Sequence, residues 1–473
     1  MAQQQTSENY KGTNRLVFGI VFGVLTFWLF AQSMVNIVPA IQKDIGISSD
    51  LLNIAISLTA LFSGIFIVVA GGMADKFGRM KLTYIGFILS IIGSLLIVLS
   101  HGAALLIIGR IVQGLSAACI MPATLSLMKT YFDGKDRQRA LSYWSIGSWG
   151  GSGFCSFIGG AIATYMGWRW IFIISIIVAL LGMLLIKGTP ESKVIQTANE
   201  SKGRFDIGGL LTFIIAMVCL NLVITRGSTF GWTSLTTIIM TLVFLVSAFL
   251  FFRIELRQAN GFIDFSLFKN KAYSGATLSN FLLNAAAGTL VVANTYVQVG
   301  RGFTSFQSGL LTLGYVICVL AMIRVGEKLL QKIGARKPMI FGSLITAIGI
   351  AMMALTFLPD VLYIIFVFIG YALFGLGLGV YATPSTDTAV SNSPEDKVGV
   401  ASGIYKMASS LGGSFGVAIS ATVYGVIAAS GNVEIAAMVG LLTNVAFCVL
   451  SFLAVVFMTP RTQKVAQKLQ ANE

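Results

Sequence analysis

An arginine stands alone inside an apolar run, Leu106-Ile107-Ile108-Gly109-Arg110-Ile111-Val112-Gln113-Gly114, and a lysine, Lys406, stands inside another. A cation placed in hydrocarbon costs at least about 2.5 kcal/mol even on the lenient insertion scale, so each should face a polar cavity or a partner. For Arg110 two roles stay open: a functional cation, or a tie from its helix to a neighbouring carbonyl. The acidic residues fall almost wholly in loops and termini, and Asp387 is the one carboxylate expected within an apolar span. Partly desolvated there, it could take up or release a proton near neutral pH. Lys406 lies at a depth that could let it meet Asp387. That pair would be a static ion bridge, or a switch in which protonation of Asp387 releases Lys406. A third charged group, Gly71-Gly72-Met73-Ala74-Asp75-Lys76-Phe77-Gly78-Arg79-Met80-Lys81, combines glycines for a tight turn with ion pairs of Asp75 to Lys76 and Arg79 that can break and remake.

Neutral polar side chains recur at helical spacing. Asn280, Asn284, Asn294 and Gln298 form one stripe, Ser402, Lys406 and Ser409 a second, and Trp28, Gln32 and Asn36 a third. Amides on one face of an apolar helix either line a cavity or bond another helix. With Gln113 beside Arg110, and with Tyr143, Trp144 and Trp149, these groups are expected to build a large, mostly aromatic pocket suited to planar amphipathic molecules. Binding and proton transfer are the chemistry on offer. His101 is the only histidine, the five cysteines lie in apolar runs, and no G-x-x-x-x-G-K-(S/T) run occurs. A zinc site, another metal site, a cofactor and direct ATP drive are therefore not expected.

The elements that must carry these residues follow from composition. Of 473 residues 56% are hydrophobic and only 11% charged, against about 25% charged in a soluble domain. The apolar residues come in runs of roughly 18 to 27, enough to cross a hydrocarbon layer of ~30 Å as helices. Lipid gives the backbone no partner, so the runs must be helical. The first, from Leu16 to about Pro39, has no small-residue cleavage site behind it and reads as a span rather than a signal peptide. Breaking the chain at charged and Gly/Pro clusters gives about fourteen spans, an all-α polytopic membrane protein. Alternate connections are basic (Lys76, Arg79, Lys81; Lys129, Lys135, Arg137, Arg139; Lys328, Lys332, Arg336, Lys337), while the others carry only Lys43, Arg169, Arg226 and Arg301. By the positive-inside rule the basic loops and both termini are cytoplasmic. The net charge of +14 is thus a topology signal, and nucleic acid is not an expected partner.

An internal repeat organises the spans. Gly109-Arg110-Ile111-Val112-Gln113-Gly114-Leu115 lines up with Gly370-Tyr371-Ala372-Leu373-Phe374-Gly375-Leu376, and Pro122 and Pro384 follow at nearly equal distance. The expected layout is a tail at 1–15, an N-terminal six-helix half at 16–187, a linker at 188–206, two extra helices at 207–252, a linker at 253–271, a C-terminal six-helix half at 272–458 and a tail at 459–473. Parallel halves of this kind are the architecture of alternating-access carriers.

Several of these segments resemble one family. Gly71 to Lys81 resembles the major facilitator signature G-x-L-A-D-(R/K)-x-G-R-(R/K), departing at Met73 and in the position of Lys81. Leu106 to Gly114 resembles L-x-x-x-R-x-x-Q-G, a resemblance that implies a part for Arg110 in proton coupling. Trp168-Arg169-Trp170 resembles the W-R-W-I-F segment of the fourteen-helix drug:proton antiporters. The G-x-x-x-G-P-x-x-G-G run of exporters is only partly kept, since Gly151, Gly159 and Gly160 align but Cys155-Ser156 replaces Gly-Pro. Where that family shows an intramembrane aspartate nine residues before a proline, counting back from Pro39 reaches Phe30. Over nearly its whole length, including Ala140 to Gly151 and Tyr381 to Thr388, the chain resembles the Nor-type quinolone efflux pumps of Gram-positive bacteria.

The resemblance implies a secondary transporter of the bacterial cell membrane. It would export hydrophobic drugs such as fluoroquinolones and lipophilic dyes against inward proton flow, and a monomer is expected. The proton-coupling candidates are Asp387, Lys406, Arg110, Asp75 and Arg79. The absent first-span carboxylate implies less preference for permanent dications. An uptake permease of the same fold is the alternative. A membrane enzyme acting on lipids would need a His, Asp or Glu cluster at one membrane face, which the sequence lacks.

Overall fold

In the computed structural model of the chain the described residues are 10–47, 49–192, 207–257, 265–303 and 305–460. Among them every regular element is a helix. Helix α1 (Asn14–Leu25) runs without a break into a π turn (Thr26–Ala31) and a 3-10 turn (Gln32–Asn36). There follow α2 (Val38–Ile45), α3 (Ser49–Phe77), α4 (Arg79–Val98), α5 (Ala103–Tyr131) and α6 (Gly134–Ser145). A second π turn (Ile146–Gly150) joins α6 to α7 (Gly151–Tyr165). The chain continues through α8 (Arg169–Ile186), α9 (Ile207–Phe230), α10 (Leu235–Glu255), α11 (Lys271–Ala285), α12 (Gly288–Val299), α13 (Ser305–Ile333), α14 (Arg336–Met353), α15 (Asp360–Ser391), α16 (Val398–Ala428) and α17 (Val433–Met458).

Twelve helical stretches among the described residues are long and apolar enough to cross a membrane. Their outer faces are bare hydrocarbon: on α10, Ile238, Leu242, Leu245 and Phe249 are all exposed, as a lipid-facing stripe must be. Two expected spans fall outside the twelve. The stretch 134–165 opens with Lys135, Asp136, Arg137 and Arg139 and then carries glycine and serine where other spans carry leucine. In α9 only the shorter part Gly208–Ile224 is apolar enough. The expected count of fourteen therefore rests on these two helices.

The chain divides into two compact units, one of 1–265 with 393–407 and one of 266–392 with 408–473. In the first, α3 and α4 pack along α5, α1 and α4 along α8, and α9 along α10. Its apolar centre joins Leu29, Phe30 and Met34 of the first span to Leu52, Ile97, Leu106, Trp168 and Phe172. In the second, α13 and α14 pack along α15, and α11 and α14 along α17. The expected tails and linkers lie partly outside the described residues, at 1–9, 193–206, 258–264 and 461–473.

One arginine in each unit closes a helix end by the same device. Arg169 donates to the carbonyls of Val98 (3.1 Å) and Ser100 (2.9 Å) at the end of α4, pairs with Asp44, and lies 4.4 Å over the Trp168 ring. Trp168 Nε1 also donates to Asp44, at 3.0 Å. Arg301 donates to the carbonyls of Thr356 (2.5 Å) and Leu358 (2.8 Å) just past α14, pairs with Asp360, and lies 4.8 Å over the Tyr363 ring. Carbonyls at a helix C-terminus lack partners within the helix and carry partial negative charge, so a guanidinium suits them twice over. The hydrogen bond from Arg169, reinforced by that from Trp168, holds the Asp44 carboxyl below the ordinary carboxylate value of 3.8.

Two predictions follow from packing and charge. Gly416 of α16 faces the backbone of Ala285, and a Cβ there would collide with its carbonyl, whereas Gly425 on the same helix has open space around it. Gly416→Leu should lower stability by about 2 kcal/mol or more, and Gly425→Ala should leave it unchanged or slightly raised, read as Tm of the purified protein. The folded state favours ionised Asp44, so the contribution of its clamp is complete above about pH 4 and fades only as pH falls through the depressed folded value. The Tm difference between the parent and Asp44→Asn should therefore hold from about pH 8 to 5 and close on stronger acidification. A gap that widens in acid contradicts the ionised clamp.

Candidate functional site

Arg110 is buried in α5 at 1% exposure and makes its hydrogen bonds inside the first unit. Its NH1 donates to the carbonyl of Ala31 at 2.8 Å and to Gln113 Oε1 at 2.8 Å, and Gln113 Nε2 passes the chain on to Ser94 Oγ at 3.2 Å. Thr59 of α3 donates to the Arg110 carbonyl at 2.9 Å. Ala31 ends a π turn, where the wider backbone pairing leaves carbonyls available to outside donors. The tie to a neighbouring carbonyl, one of the two roles open in the sequence, is therefore present. Arg110 Nε has no acceptor among the described residues. Gln113 has both ends of its amide engaged.

Lys406, 6% exposed, lies with its Nζ 4.9 Å from the centre of the Trp144 ring and 5.5 Å from that of Trp28. The two rings come from two π-distorted spans. Trp28 sits within the π turn of the first, and Trp144 sits at the end of α6, two residues before the other π turn. Trp144 is held by a hydrogen bond from its Nε1 to Thr124 Oγ1 at 3.0 Å. The glycines of α7 bring the spans together: Gly151 meets the Trp28 Cβ and Gly159 meets Ser33, whose hydroxyl donates to the Cys155 carbonyl at 2.9 Å. Phe30, at the position counted back from Pro39, is buried in the apolar cluster of the first unit, so that position is core here. Gln32 is half-buried; the side chain of Asn36 lies outside the described residues. Tyr143 does not join its neighbour Trp144, but lies against Phe18 at 5.8 Å and near Arg139.

The second unit gathers the amide stripe. Asn280 donates to Ser409 Oγ at 2.6 Å, and Asn284 donates to Asn280 Oδ1 at 2.9 Å. Asn294 accepts from Ser308 at 2.9 Å and from the Tyr371 hydroxyl at 3.2 Å, while Gln298 is half-buried. Tyr371 is the residue that the internal repeat aligns with Arg110. Each thus reaches from its own span to a neighbouring one, one with a cation and the other with a neutral hydroxyl. Asp387 is 2% exposed and accepts from Ser391 at 3.1 Å. It lies in the second unit and Lys406 in the first.

The basic loop is built as a latch inside the first unit. Asp75 accepts from the backbone N–H of Gly399 (2.8 Å) and Val400 (3.2 Å) in the first turn of α16, where the helix dipole favours an anion. Arg79 pairs with Asp75 at 3.0 Å and donates to Thr130 (2.5 Å), Ser192 (3.3 Å) and the Glu395 carbonyl (2.9 Å). Gly78 between them has φ +122°, a backbone that only glycine adopts without strain, and Gly71 lies directly on Gly399. Glu191 escapes a reading of the sequence: it accepts from the N–H groups of Met80 and Lys81, both at 2.9 Å, and so caps α4 from far along the chain. No local spacing signals that contact. Ser402 has no acceptor for its hydroxyl among the described residues. Among them too, no group of three or more His, Cys, Asp or Glu side chains could hold a metal.

Comparison with known proteins places this arrangement. The profile of the Major Facilitator Superfamily matches residues 16–417 and 277–472. The quinolone resistance protein NorB of Staphylococcus aureus (strain MRSA252) is 57% identical over 459 residues, covering 97% of this chain and 98% of that protein, and that of strain Newman is 56% identical over the same length. Among solved structures, the proton:xylose symporter XylE aligns with TM-score 0.66 at 16% identity, over 94% of this chain and 95% of that one. A bacterial homologue of the iron transporter ferroportin in an outward-facing state aligns with TM-score 0.62 at 12% identity, over 93% and 98%. At these identities the two structures speak for the fold alone.

The latch makes a measurable demand. Asp75→Asn leaves the buried Arg79 guanidinium without its counter-charge, which should lower stability by about 3 kcal/mol. The check is Tm of the purified protein beside Lys76→Gln, an exposed neighbour expected to change little. Equal Tm values for parent and Asp75→Asn contradict the latch.

Proposed function

The chain belongs to the major facilitator superfamily and is a membrane-spanning transporter rather than an enzyme; from that premise we propose that it is a proton-coupled multidrug exporter of the bacterial cell membrane. The observation that carries the reading is identity of more than half the residues, over nearly the full length, with a protein named for quinolone resistance. The first unit adds chemistry that fits: two tryptophans and a buried lysine in a polar interruption of otherwise apolar spans.

In this reading the protein has fourteen spans, two six-helix halves with a central pair at 207–252, both termini are cytoplasmic, and it works as a monomer. Protons moving inward bias the carrier between inward-open and outward-open states, and drug leaves by alternating access. Asp387 takes and releases the proton, Arg110 holds the first span at the Ala31 carbonyl, and Asp75 with Arg79 opens and closes the cytoplasmic latch. Substrate meets Trp28 and Trp144 in the first unit. Fluoroquinolones and lipophilic dyes are the substrates. A second reading, uptake of a small nutrient or osmolyte by the same fold, draws on Cys155-Ser156 standing where exporters carry Gly-Pro.

Quinolone or dye movement in inverted vesicles energised with a pH gradient tests the proposal. The intact protein should accumulate drug, Asp387→Asn should abolish accumulation, and Arg110→Ala should reduce it at least about tenfold. Accumulation that persists in Asp387→Asn moves the proton to another group. No drug movement by the intact protein returns the uptake reading.

A further inference from the structure

Resting on the exporter reading, we propose that Lys406 and Ser402 form the receptor for a substrate carboxylate, and that Trp28 and Trp144 grip the planar ring bearing it. Buried polar groups in proteins are nearly always hydrogen-bonded, and those that are not call for a reason. Here, among the described residues, two buried donors beside Lys406 lack an acceptor. Lys406 Nζ lies over the two ring faces. Ser402 Oγ, one helical turn earlier on the same face of α16, has no partner among the described residues, and neither has the indole Nε1 of Trp28. Ser402 is 2% exposed and Lys406 6% exposed.

Ring faces offset part of the charge of an ammonium but leave its hydrogen-bonding capacity unspent. A carboxylate takes up both, since it is acceptor-only and accepts several donors at once. Trp144 is fixed by Thr124, and Trp28 is fixed by the close approach of Gly151, so the two faces are set before any ligand arrives. The cluster is therefore selective for a flat aromatic acid over the same ring system with its acid masked. A quinolone, whose carboxylate is attached directly to a flat bicyclic ring, has the required chemistry. A lipid phosphate offers the same kind of oxyanion, and the test has to separate the two sources.

The experiment measures binding of a fluoroquinolone and of its methyl ester to the purified full chain in neutral detergent. Three forms are compared: parent, Lys406→Met and Lys406→Arg. The parent should prefer the acid. Lys406→Met should weaken the acid by about tenfold or more and the ester by less than about twofold, and Lys406→Arg should restore most of the preference. Equal weakening of acid and ester in Lys406→Met makes the lysine a structural prop and overturns the proposal, as does no weakening of either. Loss of the acid's advantage on adding phosphatidylglycerol assigns the donors to a lipid phosphate and overturns it also. Vesicle transport of the ester by the parent separates the two levels. Ester movement without acid preference removes this inference alone, whereas no movement of either compound removes the exporter reading with it.

Discussion

Hydrocarbon cannot solvate a charge, and the arrangement of this protein follows from where it tolerates one. Arg110 and Lys406 both sit in helices that are apolar on most sides, and neither is given a carboxylate among the described residues of its unit. Arg110 is accommodated by oxygen dipoles, the Ala31 carbonyl and the Gln113 amide. Lys406 is accommodated by the quadrupoles of two indole rings. Neutral partners of this sort hold a cation while leaving its full charge unneutralised, which distinguishes them from the Asp75–Arg79 pair at the helix ends. That pair is closed on itself and on a helix N-terminus. Interior cations are thus kept receptive, and peripheral ones are consumed in structure.

The internal repeat is visible as physics as well as sequence. Arg169 and Arg301 come from different connections, yet each caps carbonyls at the end of the equivalent helix in its unit, each pairs with an aspartate and each lies on an aromatic ring. Deeper in the spans the copies diverge: Arg110 reaches the first span as a cation, and Tyr371 reaches α12 as a neutral hydroxyl. Peripheral clamps have been kept alike because their task is the same. The interior positions differ in chemistry, one carrying a charge and the other a neutral hydroxyl.

How much of this was legible beforehand depends on the range of the interaction. Helical class, apolar spans and the basic turn at Gly71 to Lys81 follow from composition and local spacing, which the backbone obeys directly in lipid. Asp75 with Arg79 is a one-turn pair and could be read as such. The stripe of Asn280 and Ser409 was recognisable as polar faces, although which amide would meet which hydroxyl was not. Contacts that need the tertiary fold stayed hidden: Glu191 capping α4, Lys406 between two rings, and Tyr143 turning away from Trp144 toward Phe18. The two π turns left no compositional trace either, because a change in backbone pairing is not a change in residue type. The span count shows the converse limit. A segment rich in glycine and serine, such as 134–165, can be one continuous helical run and still fail a test of apolar length.

Those π turns have a consequence for how the protein can diverge. A π turn holds one residue more than the α-helical turn it replaces, so it acts as an insertion absorbed without breaking the rod. Removing a single residue from 26–31 would restore ordinary pairing there while the parts of the span on either side keep their phase, since the turn had already absorbed the extra residue. The bulge at which the Ala31 carbonyl meets Arg110 would be gone, while α1 before the turn would stay where it is. Gain or loss of one codon at a π turn is therefore a local change rather than a deletion of structure, one that re-aims a carbonyl in the interior of the transporter while the rod on either side stays fitted to the bilayer.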